Sequence, residues 1–253
     1  MNEYKVTSLD KALIVLDLII DRGRDLSITE ISQTLGLGKG TVHRILNTLK
    51  SRKFIQQDED TKLYGLGVRT LAIGAAAKKE KFLRKVMAPF MRVLHEECKE
   101  TVNAAVWEYN EIRYIYRIES EEMLRIATPA SSRFPVHCTA TGKIFLSYIS
   151  NEDIKRICGR KPGLKKMTEN TITDVEQLIQ EIERIRSGRV AIDDEEALYG
   201  VICVAAPIVS SLNECVAAIS ISAPKNRVTE EIRAAFMKLI AKEAEQISKS
   251  LNE

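Results

Sequence analysis

Apolar residues near the start of the chain recur at helical spacing and predict two helices. Residues 8–21 carry one apolar stripe, and we expect Ser8 to cap this helix and Gly23 to end it. The second helix should begin at Ser27, because Ser27 and Glu30 have the spacing of a capping box. The pattern therefore favours a small helical domain at the start of the chain.

A third helix, followed by a hairpin, comes after a glycine-containing turn at residues 36–38. Its apolar residues recur at helical spacing over 42–49, and its other face is polar. Residues 54–57 and 63–66 alternate like strands around an acidic tip. An exposed polar face is often only solvated, and this one lacks the large apolar anchors of a protein-docking surface. The order of helix, turn, helix and hairpin favours a winged helix-turn-helix that binds DNA. The residues expected to contact DNA are Lys39, Thr41, His43, Arg44, Asn47 and Lys62.

An alanine-rich stretch without proline follows the hairpin and predicts a helix that connects two domains. We expect a DNA-binding domain at residues 1–66, a linker helix at 67–84 and a second domain at 85–253. A further helix should follow the linker, broken or kinked just before Pro89.

From Thr101 the pattern changes to alternation, which predicts strands separated by turns and helices. The predicted strands are 102–107, 112–118, 123–128, 190–194, 201–209 and 215–223. The predicted helices are 140–149, one capped by Asn151, 174–186 and 229–250. The second domain should therefore be an antiparallel sheet bracketed by helices, and the whole chain is predicted to be α+β.

The second domain contains one candidate binding site. The segment 134–143 is a loop that opens into a helix, whose first amide groups are free to bind an anion such as a carboxylate. Alternation places Ser220 and Ser222 on one side of their strand, and Cys203 on one side of the strand before it. Asp193 ends the preceding strand and could bind a hydroxyl. Small polar residues facing a helix N-terminus favour a pocket, although buried Ser and Cys also serve as small core residues.

Two alternatives to simple ligand binding involve the same region. His137 beside Cys138 suggests a nucleophile, and an enzyme that uses Cys138 or Cys203 is the main rival function. Neighbouring side chains point apart, however, and no third group is present to orient the pair. These residues and Asp193 also lack the spacing of a metal site. We therefore expect no catalytic residue, no metal and no cofactor.

The net charge of +3 does not by itself indicate a nucleic-acid partner, but its distribution is uneven. Residues 1–85 contain 16 basic and 10 acidic residues, a balance of +6. The remainder contains 22 basic and 25 acidic residues, a balance of −3. A basic first part suits DNA contact, whereas the acidic remainder suits another role.

Composition also limits the compartment. No apolar run approaches the roughly 20 residues that span a bilayer, and the first residues do not resemble a signal peptide. The five cysteines are widely spaced and form no CxxC pair, which argues against disulfides and a zinc ribbon. We expect a cytoplasmic protein with reduced thiols and no membrane contact.

Five motifs together resemble the IclR-type bacterial transcription regulators along essentially the whole chain. They are Gly36-Leu with Thr41-Val-His-Arg44-Ile-Leu, Tyr64-Gly-Leu-Gly67, Pro135-Val-His-Cys-Thr-Ala-Thr-Gly-Lys143, Asp193-Asp-Glu-Glu196 and Gly200-Val-Ile-Cys-Val-Ala-Ala-Pro207. The resemblance implies a winged helix-turn-helix, a linker helix and a GAF-like effector domain. One position departs from the family pattern: Gly40 stands where a Ser or Thr is common, which removes a hydroxyl contact.

The resemblance also implies a function. It predicts a ligand-responsive regulator, expected to be a repressor, that binds a palindromic operator as a homodimer or a dimer of dimers. The effector would be a small metabolite, a carboxylic or keto acid, and Arg133 is a further candidate to pair with its carboxylate. The implied effector-binding residues agree with the pocket above and are Ala140, Thr141, Asp193, Cys203, Ser220 and Ser222.

Overall fold

The structure, a computed structural model, describes residues 6–76, 79–126 and 132–252. The chain divides into two compact units, Met1–Lys79 and Glu80–Glu253. The division falls inside the stretch predicted as the linker helix.

The first unit is a three-helix bundle with a two-stranded wing. Its elements are α1 (Thr7–Arg22), α2 (Ile28–Leu35), α3 (Lys39–Ser51), β1 (Ile55–Gln57), β2 (Tyr64–Leu66) and α4 (Val68–Ala76). Residues from α1, α2, α3 and both strands share one core, in which Ile31, Val42 and Leu46 are fully buried. The predicted winged helix-turn-helix is confirmed, because the apolar stripes of the three helices meet in this core.

In the first unit the helix ends follow the predicted capping pattern with one exception. Gly23 and Gly36 end α1 and α2 in the left-handed conformation, which glycine adopts without steric cost. The Ser27 hydroxyl accepts a hydrogen bond from the amide of Glu30 at 3.2 Å, as a capping box requires. The predicted cap at Ser8 is wrong: α1 already begins at Thr7, and Val6 precedes it without a side-chain cap.

The wing is fixed to the helices by backbone contacts. Tyr64 exchanges two backbone hydrogen bonds with Leu26, at 2.8 and 3.0 Å. A methyl group at Gly67 would lie 2.4 Å from the carbonyl oxygen of Lys53, so only glycine fits there. The wing therefore has a defined position against the bundle.

The second unit is a six-stranded antiparallel sheet with helices on both faces. Its elements are α5 (Lys79–Cys98), β3 (Thr101–Glu108), β4 (Glu111–Ile118), β5 (Arg133–Pro135), α6 (Ala140–Leu146), α7 (Asn151–Cys158), α8 (Val175–Gly188), β6 (Ala191–Asp194), β7 (Val201–Val209), β8 (Cys215–Pro224), a 3₁₀ turn (Lys225–Arg227) and α9 (Glu230–Asn252). The strands lie in the order β5-β4-β3-β8-β7-β6. The α+β prediction is confirmed.

Alternation along the strands separates two cores. On one face Val102 and Ala104 pack with α5 and α9. On the other face Ala105 and Ala205 pack with α6, α7 and α8. Asn103 lies between Val102 and Ala104, so its side chain belongs to the face of α6.

Some predicted details of the second unit differ from the structure. Of the break or kink predicted near Pro89, the break does not form: α5 continues through Pro89, because Met87, Met91 and Leu94 are fully buried and their packing outweighs the lost hydrogen bond. The predicted strand 123–128 does not form at 123–126, where Met123 is 99% exposed, and residues 127–128 lie outside the described residues. Ser150, and not Asn151, caps α7.

None of the described helices is both long enough and apolar enough to span a bilayer.

Candidate functional site

The polar face of α3 lies on the surface of the first unit. Lys39, His43, Arg44 and Asn47 are exposed, whereas Thr41 is half-buried at the edge of this face. The opposite face, which includes Val42 and other apolar residues, is in the core. The structure therefore presents the predicted recognition residues together, as one cationic and hydrogen-bonding surface.

Contacts on and near this face connect α3 to the wing. The Asn47 amide lies 3.2 Å from Nδ1 of His43, one helical turn away. The Lys50 ammonium donates to Oε1 of Gln57 at 3.1 Å, and Nε2 of Gln57 donates to the carbonyl of Lys62 at 3.2 Å. One glutamine side chain thus bridges the end of α3 and the base of the wing tip.

The acidic wing tip is organised by Asp58. Its carboxylate accepts hydrogen bonds from the amides of Thr61 at 2.7 Å and Asp60 at 3.2 Å. The hydrogen bonds from Thr61 hold the pKa of Asp58 below its usual value. Lys62, which is exposed, follows this turn in the left-handed conformation. At least one of the three acids at the tip therefore has a structural role.

The second candidate site is formed by strand register in the second unit. Pairing places Thr101, Ser222, Cys203 and Asp193 in a row across β3, β8, β7 and β6. A second row, one step along the strands, contains Arg117, Asn103 and Ser220 from β4, β3 and β8. These seven residues all line one cavity, which faces the start of α6.

Hydrogen bonds connect the two rows. Nδ2 of Asn103 donates to the hydroxyl of Ser222 at 3.2 Å and to that of Ser220 at 3.4 Å. Nε of Arg117 donates to Oδ1 of Asn103 at 2.7 Å. The Cys203 thiol donates to the same Ser222 hydroxyl at 3.2 Å. The floor of the cavity is therefore a continuous polar network, and not a set of separate small core residues.

The start of α6 supplies the opposite wall. Thr139 caps the helix through its hydroxyl, which accepts from the amide of Gly142 at 3.1 Å. The amides of Ala140 and Thr141 are in the first turn, where helix geometry supplies no acceptor. The Thr141 hydroxyl is buried and has no hydrogen-bond partner among the described residues, although the Tyr114 phenol is close enough to interact with it electrostatically.

Gly142 is needed for backbone packing rather than for ligand access. A methyl group there would lie 2.1 Å from the carbonyl oxygen of Val136. The loop before α6 therefore crosses directly over the first turn of the helix.

A buried ion pair lies next to the cavity. The Lys143 side chain is 1% exposed and pairs with Glu196 at 2.5 Å. Asp193 accepts hydrogen bonds from the amides of Glu196 at 2.8 Å and Ala197 at 3.2 Å. Burial is the main cause that raises the pKa of Asp193 to about 7, and the negative charge of the nearby Glu196 adds to it. Burial also raises the pKa of Glu196.

The cavity encloses about 510 Å³ of space, part of it open to solvent. Its lining includes all six residues predicted to bind the effector. The lining residues are Thr101, Asn103, Tyr114, Arg117, Ile126, Phe134, Thr139, Ala140, Thr141, Asp193, Ala197, Leu198, Val201, Cys203, Ser220 and Ser222. Arg133 is not among them and instead lies 3.8 Å from Glu108 and Glu111.

The cysteine and histidine side chains of this region lack the features of a nucleophilic centre. Burial raises the pKa of Cys138 to about 12, and burial together with Asp193 raises the pKa of Cys203 further. Nε2 of His137 lies 3.0 Å from the carbonyl of Lys165, and burial lowers its pKa. Both thiols are therefore protonated near neutral pH, the unreactive form. Among the described residues no group of three or more His, Cys, Asp or Glu is placed to hold a metal.

Asn103 and Arg117 are among the lining residues that were not identified from the sequence. Both lie on strands that were predicted correctly, but their position depends on the pairing of β3 with β4 and β8. The only local signal is a polar residue in an otherwise apolar strand, Val102-Asn103-Ala-Ala.

Comparison with known proteins gives consistent matches along both units. The family model described as the bacterial transcriptional regulator IclR C-terminal domain matches residues 75–249, and that of the IclR helix-turn-helix domain matches residues 8–59. The transcriptional repressor IclR of Escherichia coli (strain K12) is 30% identical over 246 residues, which cover 96% of this chain and 89% of the relative. The HTH-type transcriptional repressor AllR of Escherichia coli (strain K12) is 32% identical over 244 residues, covering 96% and 90%.

A solved structure agrees with these matches. The crystal structure of Thermotoga maritima IclR has a TM-score of 0.65 and 26% identity, and the match covers 98% of this chain and 100% of that chain. Both family models, the relatives and the fold point the same way. The chain belongs to the IclR family of bacterial transcriptional regulators.

Proposed function

We propose that this protein is a repressor whose affinity for operator DNA changes when a small carboxylic or keto acid fills the cavity of the second unit. One observation carries the proposal: a single chain contains an exposed recognition-helix face and a buried hydrogen-bonding cavity. A coupling free energy between two such sites is sufficient for regulation, and no chemical step is required. The names of the two curated relatives, both repressors, support the direction of control.

For DNA binding, α3 enters the major groove with Arg44 and Asn47 directed at base edges. Lys39 and, from the wing, Lys62 bind phosphates, and Thr41 and His43 complete the contact surface. Exposure of the cationic side chains and burial of the opposite helix face support this orientation.

A palindromic operator requires two such units, so the active form is a homodimer or a dimer of dimers. The exposed apolar residues of α1 and α4 support this assembly, since Leu9 and Leu13 repeat at helical spacing and Leu71 is 74% exposed. A second copy of the chain would cover them. Light scattering should detect no stable monomer at micromolar concentration that retains full operator affinity.

For effector binding, the acid group lies on the amides of Ala140 and Thr141, and Thr141 also offers its buried hydroxyl. Ser220 and Ser222 hydrogen-bond the other oxygens, Asp193 accepts from a ligand hydroxyl, and Cys203 lines the floor. Buried polar groups without partners are costly, so an occupant that satisfies them is favoured.

The test uses the Ser220→Ala/Ser222→Ala double variant. Loss of both hydroxyls should weaken effector binding by about 1–3 kcal/mol for each unpaired ligand atom, while operator affinity stays unchanged. Calorimetry with acids found by a thermal-shift screen of the wild type measures the first, and operator titration measures the second. Unchanged acid affinity would place the effector elsewhere. Turnover of any bound acid would instead support the alternative function, an enzyme that uses Cys138 or Cys203.

A further inference from the structure

The amide of Asn103 occupies a central position in the cavity floor. Its side chain is 2% exposed, and it lies between Arg117 on one side and Ser220 with Ser222 on the other. The Arg117 Nε–Oδ1 distance is 2.7 Å, and the distances from Nδ2 to the two hydroxyl oxygens are 3.4 and 3.2 Å. Asn103 thus connects a cation to both serines.

The orientation of this amide is determined by chemistry. A guanidinium group has donors and no acceptor, so the carbonyl oxygen of Asn103 must face Arg117. Its NH₂ group must then face the serines, which accept from it. Ser222 also accepts from the Cys203 thiol, so both of its lone pairs are occupied. The hydroxyl proton of Ser222 is therefore available only as a donor to a further partner.

We propose that Asn103 is a positioning residue that, held by Arg117, makes the floor of the cavity a hydrogen-bond donor surface and so selects an acid over its neutral amide. This inference rests on the proposed function and names the determinant of effector class. It adds Asn103 and Arg117 to the residues that control specificity.

The remaining lining agrees with this polarity. The amides of Ala140 and Thr141 are donors, and Arg117 contributes positive charge to the wall. Asp193 is the one lining carboxylate among the described residues. A carboxylate can place one oxygen on the amides of Ala140 and Thr141 and the other on the hydroxyls of Ser220 and Ser222, and so accept from the donors on both sides of the cavity. An amide of the same shape would direct its NH₂ group at donors, and that mismatch is penalised strongly in a buried site.

The experiment measures a selectivity ratio, because a purely structural defect would weaken both ligands equally. Lactate and lactamide, pyruvate and pyruvamide, and 4-hydroxybenzoate and its amide are titrated as matched pairs by calorimetry. The wild type should prefer the acid of at least one pair by about tenfold or more. Asn103→Asp keeps the shape of the side chain, but a carboxylate only accepts hydrogen bonds. The serine hydroxyls should then donate their protons to Asp and no longer to the ligand. Its acid preference should be lost or reversed.

A second variant separates polarity from charge. Asn103→Leu adds no charge but leaves the serine hydroxyls free to rotate, so the acid preference should fall to within about threefold of unity. Arg117→Lys should retain the preference, because Lys can still donate to the amide oxygen, whereas Arg117→Met should reduce it. Thermal melting and operator binding of each variant confirm folding, and the neutral Asn103→Leu variant serves if Asn103→Asp does not fold.

The outcomes distinguish this inference from the proposed function. Loss of the acid preference in both Asn103 variants supports it. An unchanged ratio in Asn103→Leu overturns it, because added charge alone would then explain Asn103→Asp. A wild type that binds none of the six compounds at millimolar concentration overturns the small-acid effector, and this inference with it.

Discussion

The two candidate sites of this protein differ in how their side chains are held. On α3, Arg44 and Asn47 are exposed, so solvent can reach their side chains. In the cavity, Asn103, Ser220 and Ser222 are almost completely buried and bind one another. Substitution on α3 should therefore change binding alone, whereas substitution around the cavity should change both binding and folding.

The largest expected effect is on folding, at the ion pair beside the cavity. Lys143→Met leaves Glu196 buried without its partner and should destabilise the second unit by about 3–5 kcal/mol. Urea unfolding measures this change. The matched control is Lys143→Met combined with Glu196→Gln, which removes both charges and should recover much of the loss. If the Lys143→Met variant alone were as stable as the wild type, Glu196 would be shown to accept a proton at little cost in free energy.

The next largest effect is expected on operator binding, at the exposed face of α3 and at the wing. Arg44→Ala should weaken operator binding by about 1–3 kcal/mol and relax base preference, with an unchanged melting temperature. Lys62→Ala should instead reduce the salt dependence of binding, because a phosphate contact releases counterions. Titration of both variants on the operator across a salt series separates the two roles. Undiminished binding by Arg44→Ala would contradict the assignment of α3 as the recognition helix.

A third prediction concerns pH and the buried carboxyl of Asp193. Its pKa is about 7 in the folded state, against 3.8 for an ordinary Asp, so the folded protein holds this proton more tightly. Stability from this group is therefore greatest below pH 4 and is lost as pH rises towards 7. The loss should be on the order of 1 kcal/mol per pH unit between pH 5.5 and 7. Urea unfolding at several pH values should show a clearly smaller slope for Asp193→Asn, and an equal slope would assign the effect to another group.

The smallest expected effect is at Gly40, where the chain departs from the family pattern. A methyl group there would meet no atom within 4 Å, and the position is helical. Gly40→Ala should therefore stabilise the first unit by about 0.5–1 kcal/mol, since alanine loses less backbone entropy. Gly36→Ala is the matched control: it has equal space but a φ of +63°, and it should destabilise. Melting temperatures that move the same way for both would refute the backbone explanation.

The same contrast explains what could be predicted from the sequence. The face of α3 follows from spacing within a single helix, and β7 has its predicted bounds because its apolar run ends at turn residues. The positions of Asn103 and Arg117 depend on the pairing of β3 with β4 and with β8. The paired residues of β3 and β8 are more than 100 positions apart in the sequence. Local patterns do not contain the register of such a pairing.

The errors have equally local causes. Met123 and Leu124 look like strand residues but are exposed, so alternation alone overestimated the sheet. The cap at Ser150 was missed because Ser and Asn are similarly good caps one position apart. At Met123 the sequence therefore predicted the wrong kind of element, whereas at Ser150 it predicted the right helix and missed only its first residue.

The contact between Gly142 and the Val136 carbonyl has a consequence for how the family can diversify. Direct main-chain packing holds the first turn of α6 against the preceding loop, since no side chain fits between the two segments at Gly142. Substitutions elsewhere in the cavity lining can then alter its shape and polarity without displacing the amides of Ala140 and Thr141. A lineage could in this way exchange one acid for another while the attachment point proposed for the acid group stays in place.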